Sequence, residues 1–363
     1  MIDFTAEPAD LVAAEVSACE RVLRSGLWVL GGEVASFEKE WARWLDVEEA
    51  VGCGNGLDAI EIALRCLGIG DGHEVVTTPM TAFATVLAVI RSGATPVLAD
   101  VDMKTAMLDP KSVERCIGRR TRAILLVHLY GRIGPVEELR DLAASHGLDL
   151  IEDCAQAHGA SLGGRAAGSF GRMAAWSFYP TKTLGAVGDG GAVTTRELEL
   201  ADRARAIRNY GQVARYQHQY VGMNSRLDEI QAALLRERFR FLPAWIERRR
   251  TIARAYVQAI KNPDVEVAAI PSEPNTHAFH LFVVMCRQRE QLRQHLSGRG
   301  IQSIVHYPVP IHRQKPCFGI ARDTEGLTIA EAHSERCLSL PCHPHLTDED
   351  VGRVIEAVNS FKG

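Results

Sequence analysis

Val47-Glu48-Glu49-Ala50-Val51-Gly52, Cys53-Gly54-Asn55-Gly56 and Leu57-Asp58-Ala59-Ile60-Glu61-Ile62-Ala63-Leu64-Arg65-Cys66-Leu67 together decide the fold class. The first run reads as a strand. The last reads as a helix, because Leu57, Ile60, Leu64 and Leu67 recur at helical spacing. Glycines make the turn between them. The alternation continues downstream, with a strand at 74–78 stopped by Pro79, a helix at 83–91, and short apolar runs at 96–99, 123–127 and 148–151 separated by helical intervals. Strands without polar alternation, each followed by a helix, predict a mostly parallel sheet covered by helices. Ligands of such sheets lie at the carboxyl ends of the strands, and the chemistry is sought there.

A second block follows, with strands at 174–178 and 192–194 and helices at 197–208 and 226–240. Pro243 marks a break before a further helix through 260, and Pro263, Pro271 and Pro274 crowd a loop. A strand at 279–285 and a helix at 290–297 complete a second α/β pattern. The predicted division is a large domain, 1–245, and a smaller C-terminal α/β domain, 246–363.

At 363 residues the chain exceeds one small core, and 46% hydrophobic with 24% charged residues is ordinary for a globular enzyme. A net charge of -4 gives no general attraction to nucleic acid or anionic membrane. The basic run Arg248-Arg249-Arg250 is read as a solvated helix face. The start, Met1-Ile2-Asp3-Phe4, has neither a basic nor an apolar leader region, and no stretch has the length of a membrane span. Nine dispersed cysteines suggest reduced thiols in a cytoplasm. Cys342-His343-Pro344-His345 lacks the second ligand pair of a zinc site, so no metal is expected there.

Three segments carry candidate chemistry. In Ile151-Glu152-Asp153-Cys154-Ala155-Gln156-Ala157-His158, Asp153 falls at a strand end. A buried carboxylate there needs a cationic partner, which a protonated pyridine nitrogen supplies, whereas an ordinary helix N-cap explains it equally. Trp176-Ser177-Phe178-Tyr179-Pro180-Thr181-Lys182 leaves a strand for a loop rich in glycine. A poorly solvated lysine there has a depressed pKa and can form a Schiff base with an aldehyde, although most loop lysines are solvated charges. Gly52-Cys53-Gly54-Asn55-Gly56-Leu57-Asp58 offers backbone amides at a helix N-terminus to a phosphate, or is simply a tight turn.

Taken together, these segments resemble the DegT/DnrJ/EryC1/StrS family of sugar aminotransferases, which are fold-type I pyridoxal-phosphate enzymes. The resemblance runs in order along nearly the whole chain. It includes Trp28-Val29-Leu30-Gly31-Gly32, Val127-His128-Leu129-Tyr130-Gly131, the 153–158 and 177–182 segments, Gly188-Asp189-Gly190-Gly191, Arg208-Asn209-Tyr210-Gly211, Asn224-Ser225-Arg226-Leu227-Asp228-Glu229 and His306-Tyr307-Pro308. It implies an α/β large domain with a mostly parallel seven-stranded sheet plus the small domain. It implies that Lys182 carries pyridoxal 5'-phosphate and Asp153 pairs with its ring nitrogen. Gln156 would bind the ring hydroxyl and Phe83 stack on the ring. Ser177 and the Gly56 and Leu57 amides would hold the phosphate, joined by Asn224 of the partner subunit in a homodimer. His306 and Tyr307 would line the substrate entrance, with packing inside the small domain as the other reading. Two departures stand out: Thr183 where the family has Asn, and Leu57 where many members have Thr or Ser. Gly54-Asn55-Gly56-Leu57-Asp58-Ala59 resembles the branch acting at C-3 of dTDP-linked 3-keto sugars.

The implied reaction moves an amino group from L-glutamate to a nucleotide-linked keto-sugar, dTDP or UDP, with Lys182 shuttling the proton. Alternatives are a 4-keto nucleotide sugar or a cyclitol ketone as acceptor, or a non-catalytic cofactor-binding regulator. Relatives that remove a sugar hydroxyl have histidine in place of the lysine, so Lys182 argues against deoxygenation.

Overall fold

A computed structural model describes residues 3–363; Met1 and Ile2, part of the N-terminal stretch considered above, lie outside the described residues. Helices α1 (Ala9–Ser25) and α2 (Gly32–Leu45) precede the sheet. The sheet's strands are β1 (Glu49–Cys53), β2 (Glu74–Thr77), β3 (Thr95–Leu98), β4 (Thr121–Val127), β5 (Asp149–Asp153), β6 (Met173–Ser177) and β7 (Gly191–Thr195). Their connections carry α3 (Gly56–Cys66), α4 (Phe83–Arg91), α5 (Pro110–Cys116) and α6 (Val136–Ser145). The spatial order is β1-β7-β6-β5-β4-β2-β3. β2 through β6 pair in parallel, and β7 runs antiparallel to both β6 and β1.

One face of the sheet packs against α2 and α6 through Phe37, Trp41, Trp176 and Phe178, the other against α3 and α4 through Ile60, Ile62, Leu64 and Val89. β6 is buried at every residue, which is why it reads as a continuous apolar run.

Beyond the sheet come α7 (Leu198–Ile207), α8 (Glu229–Phe239) and α9 (Leu242–Ala259). The helix expected over 226–240 begins only at Glu229, because Asp228 before it has extended backbone. Pro243 sits in the first turn of α9, where its missing N–H is harmless. The C-terminal layer is a three-stranded antiparallel sheet of β8 (Val265–Val267), β9 (Phe282–Cys286) and β10 (Cys337–Leu340). Helices α10 (Arg289–Ser297), α11 (Thr328–Arg336) and α12 (Asp348–Ser360) accompany it. β9 starts three residues later than the sequence suggests, since Phe279 has φ +50° and stacks on His277 instead of extending the strand.

Helix α9 joins the two layers. Leu242 and Ile246 belong to the core of the large sheet, Ile252, Ala253 and Tyr256 to the C-terminal core. Arg249 lies on the same buried stripe and is almost fully buried, so the solvated-face reading of Arg248-Arg249-Arg250 fails at its centre. Arg248 instead pairs with Asp348 at 2.7 Å, and Arg250 bonds the carbonyls of His277 and Gly159. The spacing 245, 246, 249, 252, 253, 256 is the helical signature that marks this inward face. Among the described residues no helix is long and apolar enough to cross a membrane, and all nine cysteines are free.

Candidate active site

Strand register brings the candidate residues to one edge. Val127 of β4 pairs with Asp153 of β5, which pairs with Ala175 of β6. Two residues on, Ser177 is level with Gly191 of β7, and Gly191 with Cys53 of β1. The end of β1, the start of α3, Ser177 and Asp153 therefore meet at the carboxyl edge of β1, β5 and β6.

The cradle at α3 is tight. Asn55 caps the helix by accepting from the Asp58 N–H at 2.8 Å. Asp58 is held in turn by Ser225 Oγ at 2.7 Å. The N–H groups of Gly56 and Leu57 are first-turn donors with no intrahelical acceptor. A Cβ on Gly56 would lie 2.6 Å from Ser177 Cβ, and one on Gly191 would lie 2.4 Å from the Asn55 carbonyl carbon. Glycine at both positions is what lets two strands and a helix end converge around Ser177.

Lys182 sits on the turn after β6, closed by Lys182 N–H to Tyr179 O at 2.8 Å and Ala186 N–H to Phe178 O at 2.7 Å. Burial lowers its pKa to about 8, opposed by the Asp153 carboxylate. Asp153 is buried, and burial raises its pKa, while hydrogen bonds from Thr85 and the Ala155 N–H and the charge of Lys182 work the other way. Thr85 Oγ1 donates to Asp153 Oδ2 at 2.8 Å and lies 2.7 Å from Thr81 Oγ1. Three imidazoles close by are kept neutral by burial and by Lys182, His158 near 3, His306 near 4 and His280 well below its usual value.

Gln156 Oε1 accepts from the Tyr130 N–H at 2.6 Å, and its Nε2 donates to the Tyr307 hydroxyl at 3.2 Å. The Tyr130 hydroxyl donates to the His306 carbonyl at 2.5 Å, and His306 Nδ1 lies 2.8 Å from Ser339 Oγ. The His306-Tyr307 segment is thus fastened to the sheet edge. Phe83, half-buried, opens α4 and packs against the cluster of Val86, Leu98 and Ile311. Asn224 is exposed, paired through its backbone with Asn209. Thr85 and Tyr130 escaped the sequence reading as site residues. Thr85 had a signal, a hydroxyl four residues after Thr81 at the start of an otherwise apolar helix; the role of Tyr130 depends on contacts far along the chain.

His128, Glu152 and Cys154 lie close enough to suggest a metal centre. The Glu152 oxygens, however, accept from His128 Nε2 and from the N–H groups of Gly168, Phe170 and Gly171 at 2.6–2.8 Å. His128 Nδ1 accepts from the Gly134 N–H at 3.1 Å. Those groups already bind the 168–171 turn to the sheet.

The donor set fits pyridoxal 5'-phosphate. A glycine-walled cradle of free amides beside Ser177 suits a phosphate, a buried Asp153 suits a protonated ring nitrogen, and a desolvated Lys182 suits an aldehyde. The fold is that of a fold-type I pyridoxal-phosphate aminotransferase. The model of the DegT/DnrJ/EryC1/StrS aminotransferase family matches residues 9–359, and the chain belongs to that family. It is 45% identical to dTDP-3-amino-3,4,6-trideoxy-alpha-D-glucose transaminase of Streptomyces venezuelae, over 99% of this chain and 95% of that one. It is 43% identical to dTDP-3-amino-3,6-dideoxy-alpha-D-galactopyranose transaminase of Aneurinibacillus thermoaerophilus, over 95% and 94%. A relative from Geobacillus stearothermophilus, 40% identical over 99% and 98%, is named a pleiotropic regulatory protein. The structure of S. venezuelae DesV in complex with a ketimine intermediate superposes with a TM-score of 0.94 at 45% identity, covering 98% of this chain and 96% of that one.

Proposed function

We propose that this aminotransferase moves the amino group of L-glutamate to C-3 of a nucleotide-linked 3-keto hexose, dTDP- or UDP-linked, releasing 2-oxoglutarate. The observation that carries the acceptor is the near full-length similarity to two transaminases of dTDP-3-amino sugars. When bound, pyridoxal phosphate supplies the electron sink for the carbon that loses its proton. Asp153 holds the proton on the ring nitrogen. Gln156 binds the ring hydroxyl and Phe83 covers the ring. Ser177 and the Gly56 and Leu57 amides hold the phosphate, Leu57 contributing no hydroxyl of its own. Lys182 would hold the cofactor covalently, and its Nζ would serve as the base that takes the proton from the donor's α-carbon and as the acid that supplies one to the sugar's former carbonyl carbon. His306 and Tyr307 border the sugar, whose nucleotide provides binding energy remote from the reacting carbon.

The test offers the holoenzyme glutamate with matched 3-keto and 4-keto nucleotide sugars and a cyclitol ketone, with NMR locating the new nitrogen. We expect at least about hundredfold preference for the 3-keto sugar, which about 3 kcal/mol between two ring poses provides. Turnover of 4-keto sugars or cyclitols alone would overturn the C-3 assignment. The name of the Geobacillus relative favours one second reading, a cofactor-binding regulator, for which glutamate would leave the cofactor's absorbance unchanged.

The active form in this proposal is a cytoplasmic homodimer with shared sites, and each chain divides at 245/246, inside α9, into a large and a small domain. Support for the dimer comes from the exposure of Asn224 and from exposed apolar side chains, Val16 and Leu23 on α1 and Leu27, Trp28 and Val29 in the segment that follows it. Mixing Asn224→Ala with Lys182→Ala subunits should restore activity through heterodimers that have one intact site. Verified subunit exchange with no recovery would contradict the shared site.

A further inference from the structure

Among the described residues thirteen buried side-chain polar atoms lack a hydrogen-bond partner. Four of them, Arg249 Nε, His280 Nδ1, Ser303 Oγ and His343 Nδ1, belong to residues that line a single cavity of about 130 Å³. Orphaned buried polar atoms are expensive, and their gathering round one space points to a polar occupant. Arg249 is the one charged residue in the lining, and no carboxylate faces it there. Its Nη1 donates to the carbonyls of Phe279, at 3.3 Å, His280, at 3.1 Å, and Cys342. A guanidinium this deep, balanced by carbonyl dipoles alone, is an uncompensated charge that an anion would stabilise. The other basic residues in the lining, His280, His306 and His343, are held neutral by burial and offer donors or acceptors without adding charge.

The cavity is placed for the reaction. Thr181, the neighbour of Lys182, lines it, and Arg249 also lines a small adjoining cavity of about 20 Å³ shared with Lys182 and Thr183. Its size falls below the roughly 300 Å³ at which sites for drug-sized ligands begin. That space suits the end of a short acid better than a nucleoside diphosphate, and an arginine fork matches a carboxylate. We propose that this cavity is a carboxylate subsite, where Arg249, with Ser303, His280 and His343, receives a carboxylate of the dicarboxylic amino donor and of the 2-oxo acid formed from it. The inference rests on the aminotransferase reading with glutamate as donor. It assigns dicarboxylate selectivity to the junction of α9 with the C-terminal layer.

The test titrates the holoenzyme with glutarate, which has two carboxylates and no amine, with pentanoate, and with inorganic phosphate, following binding by calorimetry. Glutarate should bind competitively with glutamate, and pentanoate and phosphate at least tenfold more weakly. Ser303→Asp, which puts a carboxylate into the cavity that Arg249 lines, should weaken glutarate at least tenfold and raise the KM for glutamate alongside it. If Ser303→Asp does not fold, Gln302→Asp at the exposed rim of the same cavity should act in the same direction. Glutarate binding equally to wild type and to the folded aspartate variant overturns the subsite, as does tighter binding of phosphate than of glutarate. If wild type takes nitrogen from no amino acid yet binds glutarate in a Ser303-dependent way, the donor reading fails and the anion site stands. If glutamate is used and the aspartate variants are indifferent, the donor reading stands and the subsite falls.

Discussion

Replacing Lys182 with alanine lowers turnover by at least about 10³-fold, the scale set by losing both a covalent anchor and a proton carrier. The cradle at α3, Ser177 and Asp153 does not depend on Lys182, so the variant still binds pyridoxal phosphate without a covalent bond. In wild type, borohydride reduction and peptide mapping should place the pyridoxyl group on Lys182 Nζ. Its lowered pKa sets a pH dependence with a definite sign. The neutral amine is the reactive form, so cofactor incorporation into the apoprotein should rise about tenfold per pH unit below about 8 and level off above it. An ordinary lysine would go on rising towards about 10.5. A pyridoxyl adduct on another lysine, with Lys182 unmodified, would refute the assignment.

Asp153→Asn is the second large effect, with an expected fall in kcat of about 10²–10³-fold, the range for removing one preorganised electrostatic partner. Asparagine keeps the size, its Oδ1 can still accept from the Ala155 N–H, and its Nδ2 can donate to Thr85 Oγ1 in place of the bond the carboxylate accepted, so the fold and cofactor content should persist. What it cannot supply is the negative charge that keeps a ring nitrogen protonated. The check is kcat together with the cofactor's absorption spectrum against pH. Unchanged kcat in the asparagine variant would mean that the ring nitrogen lies elsewhere.

The parts of this architecture that were legible from sequence are those encoded locally. The strand at 74–78 was bounded by its proline, the helix at 83–91 by its spacing, and the cradle glycines by their density between a strand and a helix. The antiparallel insertion of β7 between β1 and β6 was invisible, because pairing direction is set by the path of the chain and not by composition. α12 carries a local signal of its own, the capping box between Thr347 and Asp350. α1 hid behind its own exposed Val12, Val16 and Leu23, which blur the contrast between its faces. Within the site, Lys182 and Asp153 could be read because strand ends concentrate chemistry. The Thr85 to Asp153 bond spans 68 residues and the Gln156 to Tyr307 bond 151, and no local pattern records either. Arg249 shows the opposite failure: a basic triplet looks solvated until its helical phase is followed through Trp245, Ile252 and Tyr256.

The central claim, that Lys182 and Asp153 serve amino transfer from glutamate to a 3-keto nucleotide sugar, is tested most directly by following the holoenzyme's visible absorption through two additions. Glutamate alone should bleach the cofactor band with release of one 2-oxoglutarate per site. A dTDP- or UDP-linked 3-keto hexose should then restore the band and yield the 3-amino sugar in equal amount. A band that glutamate does not change, or one that bleaches and is not restored by any 3-keto nucleotide sugar, would contradict the account.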